Sequence, residues 1–292
     1  MNDIDLEHLR TWIGRSRADQ DVISARHARL MAATVDHPQP DRIRDGEPLP
    51  PLWHWIYFLE GLPPGELGRD GHPARGGFLP PVPLANRMWA GGRLSFIRPV
   101  PIGATLRKES QILKVDHKAG RAGDLVFVTV QHELKSSAGD LLVREEHDIV
   151  YKDAAPPPPR RETSIPRADD APGKRFVPTA TTLFRYSALT FNGHRIHYDQ
   201  DYCRNVEGYA NLVIHGPLIA TMLAGFAGEA GPRQLREFSY RALSPALLGE
   251  ALALSASLDG DRALLAARRD DGTICMQAEA ALAEPADETG GR

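Results

Sequence analysis

Cysteine is scarce in this chain, with Cys203 and Cys275 the two examples in 292 residues. Two cysteines cannot build a disulfide framework, and such low usage suits a reducing cytoplasm. Long apolar runs are also missing. The longest, around Leu212 to Phe226, is interrupted by His215, Gly216 and Pro217 and is too short to cross a bilayer. The first residues, Met1-Asn2-Asp3-Ile4-Asp5, are acidic, with no basic region leading into an apolar one, so no signal peptide is expected. There is little net charge either. Thirty-five Lys and Arg against 38 Asp and Glu leave −3, which gives no electrostatic basis for binding nucleic acid or an anionic membrane surface. The expectation is a soluble cytoplasmic protein.

What remains is an ordinary globular composition, 42% hydrophobic and 25% charged, in a chain long enough for one large or two medium domains. Residues 5–35 read as helical, with Leu6, Leu9, Trp12 and Ile13, then Val22, Ile23, Leu30 and Met31, at helical spacing. The aromatic run Leu52 to Leu59 is apolar nearly all round. It reads as a short buried helix, packing its tryptophans in a core or offering them as a ligand platform. Gly61 to Pro83 has no period, and a loop that long inside a compact domain is functional or disordered. Strand signals follow at 93–99, 104–115, 124–134 and 140–152, with hairpin connections at 116–123 and 136–139.

A Pro-rich linker at 154–174 divides the chain into halves at 1–153 and 175–292. The second half repeats the order of the first, with a buried helix near 216–227 and strand-like runs at 235–243, 250–258, 262–269 and 273–282. Leu94-Ser95-Phe96 with Pro101 matches Phe238-Ser239-Tyr240 with Pro245 at equal spacing, which points to duplication. Pro217 suits the first turn of its helix, where a missing N–H costs nothing. That helix is apolar enough to be wrapped by a curved antiparallel sheet.

The densest chemistry lies between Arg185 and Asp199, which gathers Tyr186, Ser187, Thr190, Asn192, His194, Arg195 and His197 before the doublet His215-Gly216. Polar groups so close to a buried helix are costly unless used. Asn192-Gly193-His194-Arg195-Ile196-His197, then His215-Gly216-Pro217-Leu218 just under twenty residues on, resembles the signature of the MaoC-like hydratases and dehydratases of acyl thioesters. Arg87-Met88-Trp89-Ala90-Gly91-Gly92-Arg93-Leu94 adds a resemblance to their two-domain branch, which includes mesaconyl-C(4)-CoA and itaconyl-CoA hydratases and 3-hydroxyacyl-thioester dehydratases. The resemblance covers nearly the whole chain.

It implies an α+β fold, a double hotdog of two curved antiparallel sheets each wrapping a central helix, with the catalytic motif in the second. It implies a hydro-lyase without cofactor or metal. The chain would act on an acyl-CoA thioester, as a pseudo-dimeric monomer or a homodimer. Water addition then needs a base, a proton donor and N–H groups for the oxyanion. His197 fits the first two and the Gly216 amide the third. The family's aspartate is Asn192 here, which can orient water but not take its proton; Asp199 is the alternative carboxylate. Arg185 and Arg195 are expected to hold a second carboxylate on the substrate, with Tyr186, Ser187, His194 and His215 as further contacts. His215 is equally readable as a core histidine, and Ser187 and Thr190 as helix caps. His194 and His197 have metal-like spacing, but no further ligand stands at a recognisable distance in sequence. Arg93, Arg98 and Lys108 are candidates for the CoA phosphates. The rivals are a fatty 3-hydroxyacyl-thioester dehydratase, a thioesterase and a non-catalytic acyl-thioester-binding module.

Overall fold

The computed structural model describes residues 4–120, 123–153, 173–231 and 233–283. Ten strands form one antiparallel sheet in the order β1-β3-β4-β5-β2-β7-β10-β9-β8-β6. The first five are β1 (Ser16–Val22), β2 (Asn86–Phe96), β3 (Thr105–Gly120), β4 (Gly123–Ser136) and β5 (Leu141–Lys152). The second five are β6 (Gly173–Phe176), β7 (Leu235–Ala242), β8 (Leu252–Asp259), β9 (Arg262–Arg269) and β10 (Ile274–Leu282). Read from the centre outward, 2-5-4-3-1 is mirrored by 7-10-9-8-6, so the two halves share one topology. The seam is the antiparallel pair β2–β7, where Leu94 faces Phe238 and Gly92 faces Tyr240. Leu94 and Phe238 are the residues that the internal repeat equates, as expected where a duplicated strand pairs with its own copy.

The helices are α1 (Leu6–Arg10), α2 (Ala25–Val35), α3 (Ala180–Leu189), the single turn α4 (Gln200–Tyr202) and α5 (Gly216–Ala230). In α5 the residues from Pro217 to Ala224 are all buried, together with Phe226 and Ala227. A helix apolar on every side has to be enclosed. It packs against β7, β8, β9 and β10. Burying a large apolar side chain fully is worth about 1.5–3 kcal/mol, so Leu218, Leu223 and Phe226 anchor this layer. The first-turn N–H groups of α5 are left for other partners.

The N-terminal half departs from the expected pattern in three places. Residues 5–35 are not continuously helical, because β1 separates α1 from α2. Ser16-Arg17-Ala18-Asp19-Gln20-Asp21-Val22 carries too few apolar residues to read as a strand, yet it pairs with β3 at the sheet's edge, half-buried in strict alternation. The aromatic run folds as only one tight turn, Trp53–Ile56. In chain order it stands where α5 stands in the second half, so among the described residues this half has a short turn in place of the long central helix. Trp53 and Ile56 enter the core, whereas Trp55 lines a cavity. Third, β3 runs on to Gly120, so the connection to β4 is tighter than expected. The linker set at 154–174 lies outside the described residues except its last two, which open β6.

The halves also meet through α2 and α3, which pack together while the His27 Nε2 stands 3.1 Å from the Leu189 carbonyl. At the seam a Cβ on Gly91 would lie 2.6 Å from the Tyr240 carbonyl oxygen, and one on Gly92 would lie 2.7 Å from the Tyr240 hydroxyl. Overpacking of this kind costs about 1–3 kcal/mol. Gly91→Ala is therefore expected to lower stability by that amount in a denaturant melt, and an unchanged midpoint would contradict the seam packing.

Candidate active site

The site starts from the end of α3. A capping box formed by Thr179 and Thr182 fixes the start of this helix, and its C-terminal turn carries Tyr186 and Ser187. Phe191 then takes a positive φ of 48° and reverses the chain. Asn192 follows, and its side-chain oxygen accepts the His194 N–H at 2.9 Å, tightening the turn that presents the single-turn helix Arg195–His197. The Val213 N–H donates to the Ile196 carbonyl at 2.9 Å, which ties this turn to the segment leading into α5.

His197 is buried, and its Nδ1 lies 2.8 Å from the Val213 carbonyl. A carbonyl only accepts, so Nδ1 carries the proton and Nε2 keeps a free lone pair. Burial lowers the imidazole pKa to about 4, although the Val213 carbonyl favours the charged form. The ring is thus neutral at neutral pH and can take a proton from water. His215 lies behind it, fully buried and stacked at 3.6 Å between ring centroids. Its Nε2 lies 2.8 Å from the Ser187 hydroxyl. Ser187 therefore holds His215 rather than capping a helix, and His215 supports His197 from behind without lining the cavity. Thr190 does sit at the C-cap of α3, with its hydroxyl bonded to the Tyr186 carbonyl.

Gly216 opens α5 and lines the cavity, with open space around the position of its missing Cβ. Its N–H is the natural donor to an oxyanion, since Pro217 has none. Tyr186, Asn192 and His194 line the same cavity. Two of the arginines do not. Arg185 is exposed on α3, and Arg195 pairs with Asp199 at 2.7 Å while lying over the Tyr202 ring. Asp199 is engaged as well: one oxygen binds Arg195 and the other caps α4 by accepting the Tyr202 N–H. That leaves it no role as the alternative base. Of the three candidates for CoA phosphates, Arg93 is bound by Glu146 and Asp148 and Arg98 by Asp140, whereas Lys108 lines the cavity.

The cavity has a volume of about 550 Å³ and lies between the halves. Much of its wall comes from the N-terminal half, which sequence reasoning had left without catalytic residues. Glu145 is buried there, with the His54 Nε2 and the Trp55 Nε1 each 3.0 Å from its carboxylate. Burial alone would raise this carboxyl, but the His54 bond holds it down at about 2. Lys108 lies over the Phe58 ring, and burial lowers its pKa. Arg87 is half-buried on β2 and also lines the cavity. Neither cation forms an ion pair among the described residues. His72 stands 4.1 Å from His194 between ring centroids. The donor atoms of Asp70, His72 and His194 lie within 4.8 Å of one another, a cluster that sequence spacing gave no reason to expect. The signal available was the aperiodic loop 61–83, whose length marked it as functional or disordered without indicating what it touches.

A helix-capped cavity with a neutral histidine and a helix-start N–H at one end, between two five-stranded halves of shared topology, defines a double hotdog hydro-lyase. Its residues 52–248 match the hydroxyacyl-thioester dehydratase type 2 family, and the chain belongs to that family. It is 43% identical over 277 residues, 93% of this chain and 96% of the relative, to a protein of Chloroflexus aurantiacus named mesaconyl-C(4)-CoA hydratase. Among solved structures it resembles a MaoC-like dehydratase with a TM-score of 0.70 at 17% identity, covering 94% of this chain and 99% of the other. A Mycobacterium tuberculosis protein described as having a double hotdog fold superposes with a TM-score of 0.59 at 12% identity, covering 92% of this chain and 96% of the other.

Two outcomes follow for enoyl-CoA hydration. His197→Ala should lower kcat by about 10²–10⁴-fold in a folded protein. Because the protonated ring is inactive as a base and burial holds its pKa near 4, kcat/KM should stay level as pH falls from 8 to 6. An acid limb centred near the ordinary histidine value of about 6.5 would contradict a buried, neutral base.

Proposed function

We propose that the chain hydrates a short, branched enoyl-CoA that carries a second carboxylate, of the mesaconyl-C(4)-CoA or itaconyl-CoA kind, giving a citramalyl-CoA product. The observation that carries this reading is the pair of cations in the cavity wall, Arg87 and Lys108, that form no ion pair among the described residues. A tunnel for a fatty acyl chain would be apolar there, whereas this wall also holds His54, His132, His147 and Glu145. The name of the Chloroflexus aurantiacus relative supports the same substrate class.

In mesaconyl-C(4)-CoA the free carboxylate sits on the β carbon, the atom that water attacks. We assign Arg87 to it, because Arg87 lines the cavity with His72, His194 and His197 and its charge reaches Asp70, His72 and His194. It takes the role that Arg185 and Arg195 were expected to fill. In this reading the His197 Nε2 removes a proton from water as oxygen bonds to the β carbon. The electron pair moves onto the thioester oxygen, held by the Gly216 N–H. His197 then returns the proton to the α carbon. Asn192 has committed its side-chain oxygen to the turn, so only its amide N–H₂ is free to hold the water.

The protein is placed in the cytoplasm, as its two buried free cysteines suit. We take it to act as a pseudo-dimeric monomer or a homodimer of such chains, away from membranes and nucleic acid. No helix among the described residues is long and apolar enough to cross a membrane. The domain limits of 1–153 and 175–292 are part of the same proposal.

The test compares mesaconyl-C(4)-CoA with crotonyl-CoA and a longer enoyl-CoA. Wild type should favour the dicarboxylate. A charge-assisted pair is worth about 1.5–3 kcal/mol, so Arg87→Gln should reduce that preference about ten- to a hundred-fold. Equal or better turnover of crotonyl-CoA or the longer substrate by wild type would replace this assignment with a fatty-acyl dehydratase.

A further inference from the structure

The loop of the N-terminal half reaches the catalytic turn and is fastened there. Within the loop the Gly68 N–H donates to the His72 carbonyl at 2.7 Å and the Gly71 N–H donates to the Gly68 carbonyl at 2.9 Å. At its tip the Asp70 carbonyl accepts the Arg195 N–H at 2.9 Å, and the Arg69 carbonyl accepts from the Arg195 side chain at 3.2 Å. Gly71 has a φ of 85°, and a Cβ there would lie 1.9 Å from the Gly193 carbonyl oxygen. Only glycine allows so close an approach. Docked in this way, the loop inserts His72 into the cavity wall beside His194, which stands 5.4 Å from His197.

Asp70 fixes the state of that ring. One carboxylate oxygen accepts the His72 backbone N–H at 3.1 Å, and the other lies 3.0 Å from Nδ1. An ionised carboxylate accepts only, so Nδ1 carries the proton and Nε2 keeps its lone pair. Burial lowers the His72 pKa, against the pull of Asp70, so the ring is neutral. Burial disfavours the Asp70 charge, but the His72 bonds and the Arg87 charge hold the carboxyl well below its ordinary range.

The attacking water has two hydrogens, and His197 takes one. The Asn192 side-chain oxygen is bound within its turn, and Asp199 is bound to Arg195 and the α4 cap. We propose that His72, held by Asp70, is a catalytic residue supplied by the N-terminal half, its Nε2 accepting the second hydrogen of the attacking water. The proton taken by His197 goes to the α carbon as the β carbon–oxygen bond and the α carbon–hydrogen bond replace the double bond. The other hydrogen remains on the new hydroxyl, bonded to His72 throughout, so His72 ends neutral. This assignment rests on water addition at His197 and not on the identity of the acyl group.

The experiment measures kcat and KM for the enoyl-CoA that wild type turns over best, in His72→Leu, His72→Gln and Asp70→Asn, with His197→Ala alongside. His72→Leu should lose about 10²-fold in kcat, with KM within about threefold in a protein that remains folded. His72→Gln keeps an oxygen that can accept from water and should recover about tenfold or more of that loss. Asp70→Asn should lose about tenfold in kcat, and an unaltered kcat there overturns the proposal even if His72→Leu fails to fold. The proposal also falls if His72→Leu keeps kcat within about threefold of wild type, if Gln is no better than Leu, or if KM rises in proportion to the loss. Wild-type activity removed by a chelator and restored by zinc would overturn it in favour of a metal at Asp70, His72 and His194. A fully active His197→Ala would instead remove the water-addition scheme beneath it.

Discussion

The antiparallel pairing of β2 with β7 is the constraint on which the rest depends. It turns two five-stranded units into one ten-stranded sheet and leaves the cavity between them, walled by β2 to β5 on one side and by the start of α5 on the other. The pairing is close enough to require glycine at positions 91 and 92, and the Trp89 indole N–H donates to the Tyr240 hydroxyl across it. The turn that carries His197 belongs to one half, but much of the cavity wall around it belongs to the other.

Desolvation sets the chemistry in and behind that cavity. His132, His194, His197 and His215 are all driven toward the neutral form, chiefly by burial. Neutral imidazoles can accept protons from water, which imidazolium cannot. The same burial makes the protein acid-sensitive. Each of these rings binds a proton in the unfolded chain below about pH 6.5 but resists it when folded, so stability falls as the pH drops from that value. Glu145 adds to this at lower pH, since its charged form is held by His54 and Trp55 and the stability it contributes is lost as the pH falls from its ordinary value of 4.5 toward about 2.

Much of the C-terminal half was legible in sequence because its signals are local. A Pro at the first turn, an apolar surface on every side of residues 217–227 and a strand alternation in β7 to β10 each report their own environment. The motif from Asn192 to His197 and the Gly216 helix start were readable for the same reason. What escaped depends on contacts distant in sequence. β1 is a strand because β3 pairs with it, not because its polar residues favour one. Arg195 looks available in sequence but is paired with Asp199 four residues on. Glu145 on β5 becomes a site residue only through His54 and Trp55, about ninety positions away. The loop bearing Asp70 and His72 stood out in sequence only through its length and composition, while its partner segment lies more than a hundred residues further along the chain.

The central claim is that the acyl thioester lies across both halves with its reacting carbons at His197. A crystal structure with a saturated acyl-CoA that cannot react tests this most directly. The thioester oxygen should lie within hydrogen-bond distance of the Gly216 N–H, with the β carbon facing the His197 Nε2 and the acyl end against the N-terminal wall near Arg87. An acyl group bound outside the cavity, or with its thioester turned away from Gly216, would contradict the account.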